Sequence, residues 1–265
     1  MPEIKANGVK FSYDISGPEK APWITFSNSL MTNIHMWDEQ VELLSDSWRV
    51  LRYDQRGHGK TEASEPPYNF DMLANDVVAL WDALEIRQSV FCGLSMGGAT
   101  GLSLCLNHEK RLSAFIGCDM PYQTSPEFSA MWTERIQMAK KVGIDQMAMP
   151  TAERWFVPEF TKNPQNEHTI EKICSMVRTT SMQGYVGCCN ALQGVAYANL
   201  IKNIKTPTFL ISGDKDPAAN PKVMRPLAEA ITGAKLHVIE NCGHISNMES
   251  PENFNNAILG FLKQL

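Results

Sequence analysis

Residues Ser89 to Thr100 read Ser-Val-Phe-Cys-Gly-Leu-Ser-Met-Gly-Gly-Ala-Thr, and no other stretch restricts the fold so far. A short apolar run, the length of a buried strand, passes through Gly-Leu-Ser-Met-Gly into a helix-forming segment. This is the setting in which a G-x-S-x-G turn exposes a serine hydroxyl at the end of a strand. The glycines have a steric purpose. A side chain at Gly93 or Gly97 would collide with a neighbouring strand or helix, and Gly98 lets the start of the helix pack closely. Ser95 can then hold a strained backbone and act as the expected nucleophile. Such a turn also requires an acid and a histidine further along, in the order Ser, Asp, His.

The rest of the chain supplies the sheet that this turn needs. Asn7-Gly8, flanked by Ile4–Ala6 and Val9–Ser16, predicts a type I′ hairpin. Strands follow at Pro22–Ser27 and Arg49–Tyr53, with a helical pattern through Trp37, Val41 and Leu44 between them. Leu73, Val77, Leu80, Trp81 and Leu84 recur at helical spacing. After the serine turn and its helix, Ser113–Cys118 reads as another buried strand. Strand–helix alternation resumes at Thr206–Ile211, Pro221–Ile231, Lys235–Ile239 and Pro251–Leu265. That rhythm predicts a mostly parallel sheet covered on both faces. From Pro121 to about Leu200 only helical segments appear, rich in Met, Trp and Cys, so residues 121–205 are expected to form a helical insertion into a core of residues 1–120 and 206–265.

Ligands of such sheets bind beyond the carboxyl ends of the strands, and two loops there carry the right chemistry. Gly213-Asp214-Lys215-Asp216-Pro217 follows one strand and Asn241-Cys242-Gly243-His244 follows the next. His244 is the expected base; spacing alone leaves Asp214 and Asp216 both open as the acid, and Asp119, which also follows a strand, is a further alternative. His58 reads as a residue that fixes its loop by hydrogen bonding.

Composition closes off several classes. With 265 residues, 43% of them apolar, the chain can bury one large core. A net charge of −5 with mixed signs forms no basic stripe, which argues against nucleic acid and against an anionic membrane surface. Neither a signal-like amino terminus nor a membrane-length apolar run is present, so a cytoplasmic protein is expected. The seven cysteines are odd in number, lack C-x-x-C spacing and sit mostly in apolar runs, which predicts reduced, buried thiols. The sequence leaves the oligomeric state open.

Several stretches together resemble the α/β-hydrolase fold and, within it, the 3-oxoadipate enol-lactonases of aromatic catabolism. They are Ser27-Asn28-Ser29-Leu30 with His35-Met36-Trp37-Asp38, Tyr53-Asp54-Gln55-Arg56-Gly57-His58-Gly59, the serine turn itself, Gly213 to Ala218 and Gly243 to Glu249. In the insertion the likeness continues through Met131 to Ile136, Arg154-Trp155-Phe156 and Gly184 to Leu192. The resemblance implies an eight-stranded, mostly parallel sheet with a helical cap, no metal and no organic cofactor. It selects Asp216, the aspartate before Pro217, as the acid. The chain departs from the family pattern at Met31, where glycine is usual, and in the polar stretch Arg178 to Met182.

The chemistry implied is ester hydrolysis through an acyl-enzyme. His244 would take the proton of Ser95, Asp216 would hold the imidazole, and the backbone N–H groups of Leu30 and Met96 would receive the oxyanion. A lactone bearing a carboxylate needs a cation in an otherwise apolar pocket. Arg135 is the first candidate and Arg178 the second, with Trp132, Trp155 and Tyr185 as pocket walls. The competing readings are a carboxylesterase, a lactonase for a different ring, and a ligand-binding receptor that keeps the triad.

Overall fold

The computed structural model describes residues 1–265. Eight strands form one sheet: β1 (Glu3–Ala6), β2 (Val9–Ser16), β3 (Trp23–Ser27), β4 (Arg49–Tyr53), β5 (Ser89–Leu94), β6 (Leu112–Cys118), β7 (Thr208–Gly213) and β8 (Lys235–Ile239). Their order is β1-β2-β4-β3-β5-β6-β7-β8, with the pairs β1–β2 and β2–β4 antiparallel and every other pair parallel. The hairpin forms where Asn7-Gly8 predicts it, with both residues at positive φ and Ala6 paired to Val9. Strand β7 starts two residues later than its apolar pattern suggests, after Pro207, whose nitrogen cannot donate to a ladder.

Alternating side chains send the two faces of the sheet into separate cores. Ile24, Phe26, Val90 and Cys92 pack on one face with α1 (Asp38–Leu44) and α10 (Pro251–Leu262). Phe91, Phe115 and Leu210 pack on the other with α2 (Phe70–Ala83), α3 (Met96–Asn107) and α9 (Pro221–Ala230). This is the doubly covered sheet that the strand–helix rhythm predicts. Three polar groups between the sheet and α2 are joined in a chain: the Trp81 indole donates to Thr25 Oγ1 at 2.9 Å, and Thr25 in turn meets Ser89 Oγ at 2.9 Å.

Between β6 and β7 lie α4 (Pro126–Val142), α5 (Ala148–Trp155), α6 (Pro158–Thr161), α7 (Glu167–Arg178) and α8 (Met182–Gln193). The short α6 was not visible in the apolar pattern, because Pro158 opens a single turn that buries none of its residues. The chain leaves and rejoins the sheet through neighbouring segments. Thr124 N–H donates to Val195 O at 2.9 Å, Tyr197 N–H to Tyr122 O at 2.9 Å, and an isolated antiparallel bridge joins Gln123 to Ala196. No helix is long and apolar enough to cross a membrane, and all seven cysteines are free and buried.

The loop after β4 is held by buried polar contacts. Arg56 donates to both oxygens of Asp76 on α2, with Nε to Oδ2 at 2.9 Å. Asp54 accepts the Ile34 and Lys60 N–H groups at 3.0 and 2.9 Å. His58 Nδ1 lies 3.1 Å from the Arg56 carbonyl and donates to it, while its Nε2 is buried without a partner, in agreement with the loop-fixing role expected of it. Burial lowers the His58 pKa from 6.5 to about 4. As the pH falls below 6.5 the unfolded chain takes up this proton first, so His58 removes stability down to about pH 4, by about 3 kcal/mol in all. Urea unfolding at about pH 7 and about pH 4.5 should show a smaller acid loss for His58→Asn, which keeps a donor for the Arg56 carbonyl, than for the wild type. Parallel pH dependences in the two proteins would remove His58 from the account.

Candidate active site

Strand β5 ends at Leu94, and the helix α3 begins at Met96. Ser95 lies between them at φ 54° and ψ −112°, a left-handed conformation that costs a non-glycine residue about 1–3 kcal/mol. Two close approaches hold it there. A Cβ on Gly93 would strike the Gly97 carbonyl, and a Cβ on Gly97 would strike the Ser27 carbonyl at the end of β3. The Ser95 N–H is anchored to Cys118 O at 2.8 Å on the other neighbouring strand. The helix start is therefore wedged between two strand ends, and its glycines leave room for no side chain.

Two loops from the far half of the sheet meet this turn. His244 Nε2 lies 2.9 Å from Ser95 Oγ, and His244 Nδ1 lies 2.8 Å from Asp216 Oδ2. With Nδ1–H donated to the carboxylate, Nε2 is left bare to accept the serine proton. The other Asp216 oxygen accepts the Ala218 N–H at 2.7 Å. The two remaining aspartates serve the backbone. Asp214 accepts the Cys242 N–H at 3.2 Å and pairs with Lys215 at 3.0 Å, so it shapes the turn. Asp119 accepts the Gly213 N–H at 2.8 Å and the Ser246 hydroxyl, away from the imidazole. Burial, with Asp216 beside it, holds the Asp119 carboxyl well above the usual range. Asp119 thus ties together the loops that carry Asp216 and His244.

Glu249 provides a second tie. It accepts the Gly243 N–H from the histidine loop and the Val157 N–H, the latter at 2.7 Å, from the insertion. His244 N–H donates to the Trp155 carbonyl at 2.6 Å, and the Trp155 ring is 6.0 Å from the imidazole. The end of α5 is therefore mounted on the histidine loop.

The loop after β3 forms the opposite rim. Asn28 fixes it: the side chain donates to Tyr53 O at 3.0 Å, accepts the Trp37 indole N–H at 3.1 Å, and the Asn28 carbonyl accepts from Gln55. Neither the Leu30 N–H nor the Met96 N–H has an acceptor in the protein. Met31 stands at φ 63° and its side chain lines the pocket. A left-handed backbone at this position explains why glycine would be easier there.

Above Ser95 is a cavity of about 320 Å³, lined by Leu30, Met31, Ser95, His244 and residues of the insertion. Trp132, Arg135, Trp155 and Tyr185 all line it. Arg178 does not. It is exposed and pairs with Glu171 at 2.7 Å, because the two share the solvent face of α7, opposite the buried Ile173, Cys174, Met176 and Val177. The cation that sequence reasoning missed is Arg154, which lines the same cavity. Its signal was present in Arg154-Trp155-Phe156, but a basic residue in the last turn of a helix also reads as a favourable partner of the helix dipole.

Comparisons with known proteins agree with this architecture. A model of the alpha/beta hydrolase family matches residues 23–257. The chain is 34% identical to 3-oxoadipate enol-lactonase 2 of Acinetobacter baylyi over 98% of its own length and 96% of the relative's. It is 33% identical to 3-oxoadipate enol-lactonase 1 of the same organism, over 97% and 95%. The crystal structure of the enol-lactonase from Burkholderia xenovorans LB400 superposes with a TM-score of 0.94 at 37% identity, covering 99% of this chain and all of that one. With its sheet order, its strained serine turn and these likenesses over nearly the whole length, the chain belongs to the alpha/beta hydrolase family and, within it, to the 3-oxoadipate enol-lactonase group.

Proposed function

We propose that the protein hydrolyses a carboxylate-bearing enol-lactone, 3-oxoadipate enol-lactone being the candidate, through an acyl-enzyme on Ser95. The observation that carries this reading is the unbroken chain of contacts from Ser95 Oγ through His244 to Asp216, at 2.9 and 2.8 Å. The names of the relatives supply the substrate. In this reading residues 121–205 act as a cap over a core of residues 1–120 and 206–265, and the cytoplasm would keep the free thiols reduced.

The steps follow from the arrangement. His244 accepts the Ser95 proton as Oγ attacks the lactone carbonyl. The developing imidazolium is stabilised by Asp216, which also holds the tautomer. The tetrahedral oxyanion is received by the Leu30 and Met96 N–H groups, whose lack of protein acceptors supports this role. Collapse breaks the ring C–O bond, the leaving enolate takes the proton from His244 and ketonises, and the acyl group stays on Ser95. Water, deprotonated by His244, then releases the acid. Arg135, on the pocket wall with its guanidinium 5.1 Å over the Trp132 ring, would bind the substrate's carboxylate.

A second reading, hydrolysis of a different small ester or lactone, is favoured by one observation. Met31 puts a flexible side chain into the cavity from a backbone position that favours glycine. A panel of carboxylate-bearing enol-lactones, other lactones and aryl esters separates the two by their kcat/KM.

Replacing Ser95 by Ala should lower kcat at least about 10⁴-fold on any accepted ester, with an unchanged circular dichroism spectrum. Turnover near wild type would refute the nucleophile assignment. For Arg135→Ala, the ratio of kcat/KM for a carboxylate-bearing lactone to that for a neutral aryl ester should fall roughly 10- to 100-fold, the range for a hydrogen bond to a charged group. An equal loss on both substrates would mark Arg135 as a packing residue.

A further inference from the structure

Arginines that are buried or half-buried in this fold have oxygen partners, with two exceptions. Arg52 pairs with Asp14 and Asp38, Arg56 with Asp76, Arg111 with Asp82, and Arg49 donates to the Gly17 carbonyl. Arg135 and Arg154 make no hydrogen bond and no ion pair within the protein, although both line the cavity above Ser95. They come from different helices, Arg135 from the middle of α4 and Arg154 from the last turn of α5. The only carboxylate among the cavity's lining residues is Asp119, which is already engaged by Gly213 and Ser246.

A guanidinium removed from water without an acceptor is costly, and two that converge repel each other as well. Burial, and then the neighbouring Arg135 charge, lower the Arg154 pKa to about 10, which leaves it protonated at neutral pH. Beyond the Trp132 ring under Arg135 the protein offers these two groups no oxygen acceptor, whereas an anion placed between them would satisfy both forks.

We propose that Arg154 is a second anion-binding residue which, with Arg135, clamps one carboxylate of the ligand between α4 and α5. This deepens the function proposed above by naming what the cap selects for: negative charge at the end of the ligand away from the reacting carbonyl. The clamp is joined to the catalytic end of the pocket. Arg154 immediately precedes Trp155, whose carbonyl accepts the His244 N–H at 2.6 Å, and Glu249 holds Val157 just beyond it at 2.7 Å. An anion seated between the arginines would therefore be positioned relative to the imidazole through two short backbone contacts.

The test uses two inhibitors of equal length that differ in charge, hexanoate and hexanamide, competing against hydrolysis of a neutral aryl ester by the intact protein. The wild type should bind hexanoate at least about tenfold more tightly than hexanamide. Arg154→Met should bring the two inhibition constants to within about threefold of each other, and Arg154→Lys, which keeps the charge but loses the planar fork, should fall between. An unchanged preference in Arg154→Met overturns the proposal, as does an equal weakening of both inhibitors, which would indicate packing alone. The same two ligands titrated calorimetrically into Ser95→Ala should retain the wild-type preference. Loss of the clamp and loss of the nucleophile assignment are thus separate results.

Discussion

The contact on which the site depends is the close approach of the first turn of α3 to the ends of β3 and β5. Gly93 and Gly97 admit the neighbouring carbonyls only because neither has a side chain, and between them Ser95 is held at φ 54°. The strain at this residue is sustained by the sheet: β5 is buried along its whole length, and the Ser95 N–H is tied to β6. The same approach brings the loop after β3, which carries Leu30, against the helix start at Met96, and the N–H groups of these two residues have no acceptor in the protein. Preorganised donors of this kind require no rearrangement as charge develops, which is where their value for ester chemistry lies.

Two carboxylates beyond the Ser95–His244–Asp216 contacts do a different kind of work. Asp119 links the loops of Asp216 and His244, and Glu249 links the histidine loop to the end of α5. Each accepts hydrogen bonds from segments that are far apart in sequence, and burial raises both carboxyls. The position of the imidazole is therefore set from three directions: by Asp216 behind the ring, by Asp119 from the sheet, and by the insertion through Trp155 and Glu249. The insertion and the sheet share this loop, so the pocket roof and the proposed base are one assembly.

Charge distinguishes this pocket from a plain apolar cleft. Its walls are mostly apolar and aromatic, yet two arginines enter it without counterions while Arg52, Arg56 and Arg111 are each paired with aspartate. That asymmetry is what the proposed anionic ligand would relieve. Met31 modifies the opposite wall, where a left-handed backbone carries a flexible side chain beside Ser95.

Local chemistry made much of this legible in the sequence. The Asn7-Gly8 turn, the alternation of apolar strands with amphipathic helices, and the serine between closely packed glycines depend on backbone sterics and periodicity, which a linear string contains in full. The run of helices between β6 and β7 was visible as a break in that rhythm. Tertiary structure decided what depends on direction. Asp214 and Asp216 are two residues apart, and only the course of the loop turns one toward the imidazole and the other toward the Cys242 amide. Arg178 and Arg154 are both basic residues in the last turn of a helix, and only packing sends one to solvent against Glu171 and the other into the cavity. Residue types and their spacing follow from the chain alone, whereas which side chains share one cavity is set by contacts between segments that the chain separates by many residues.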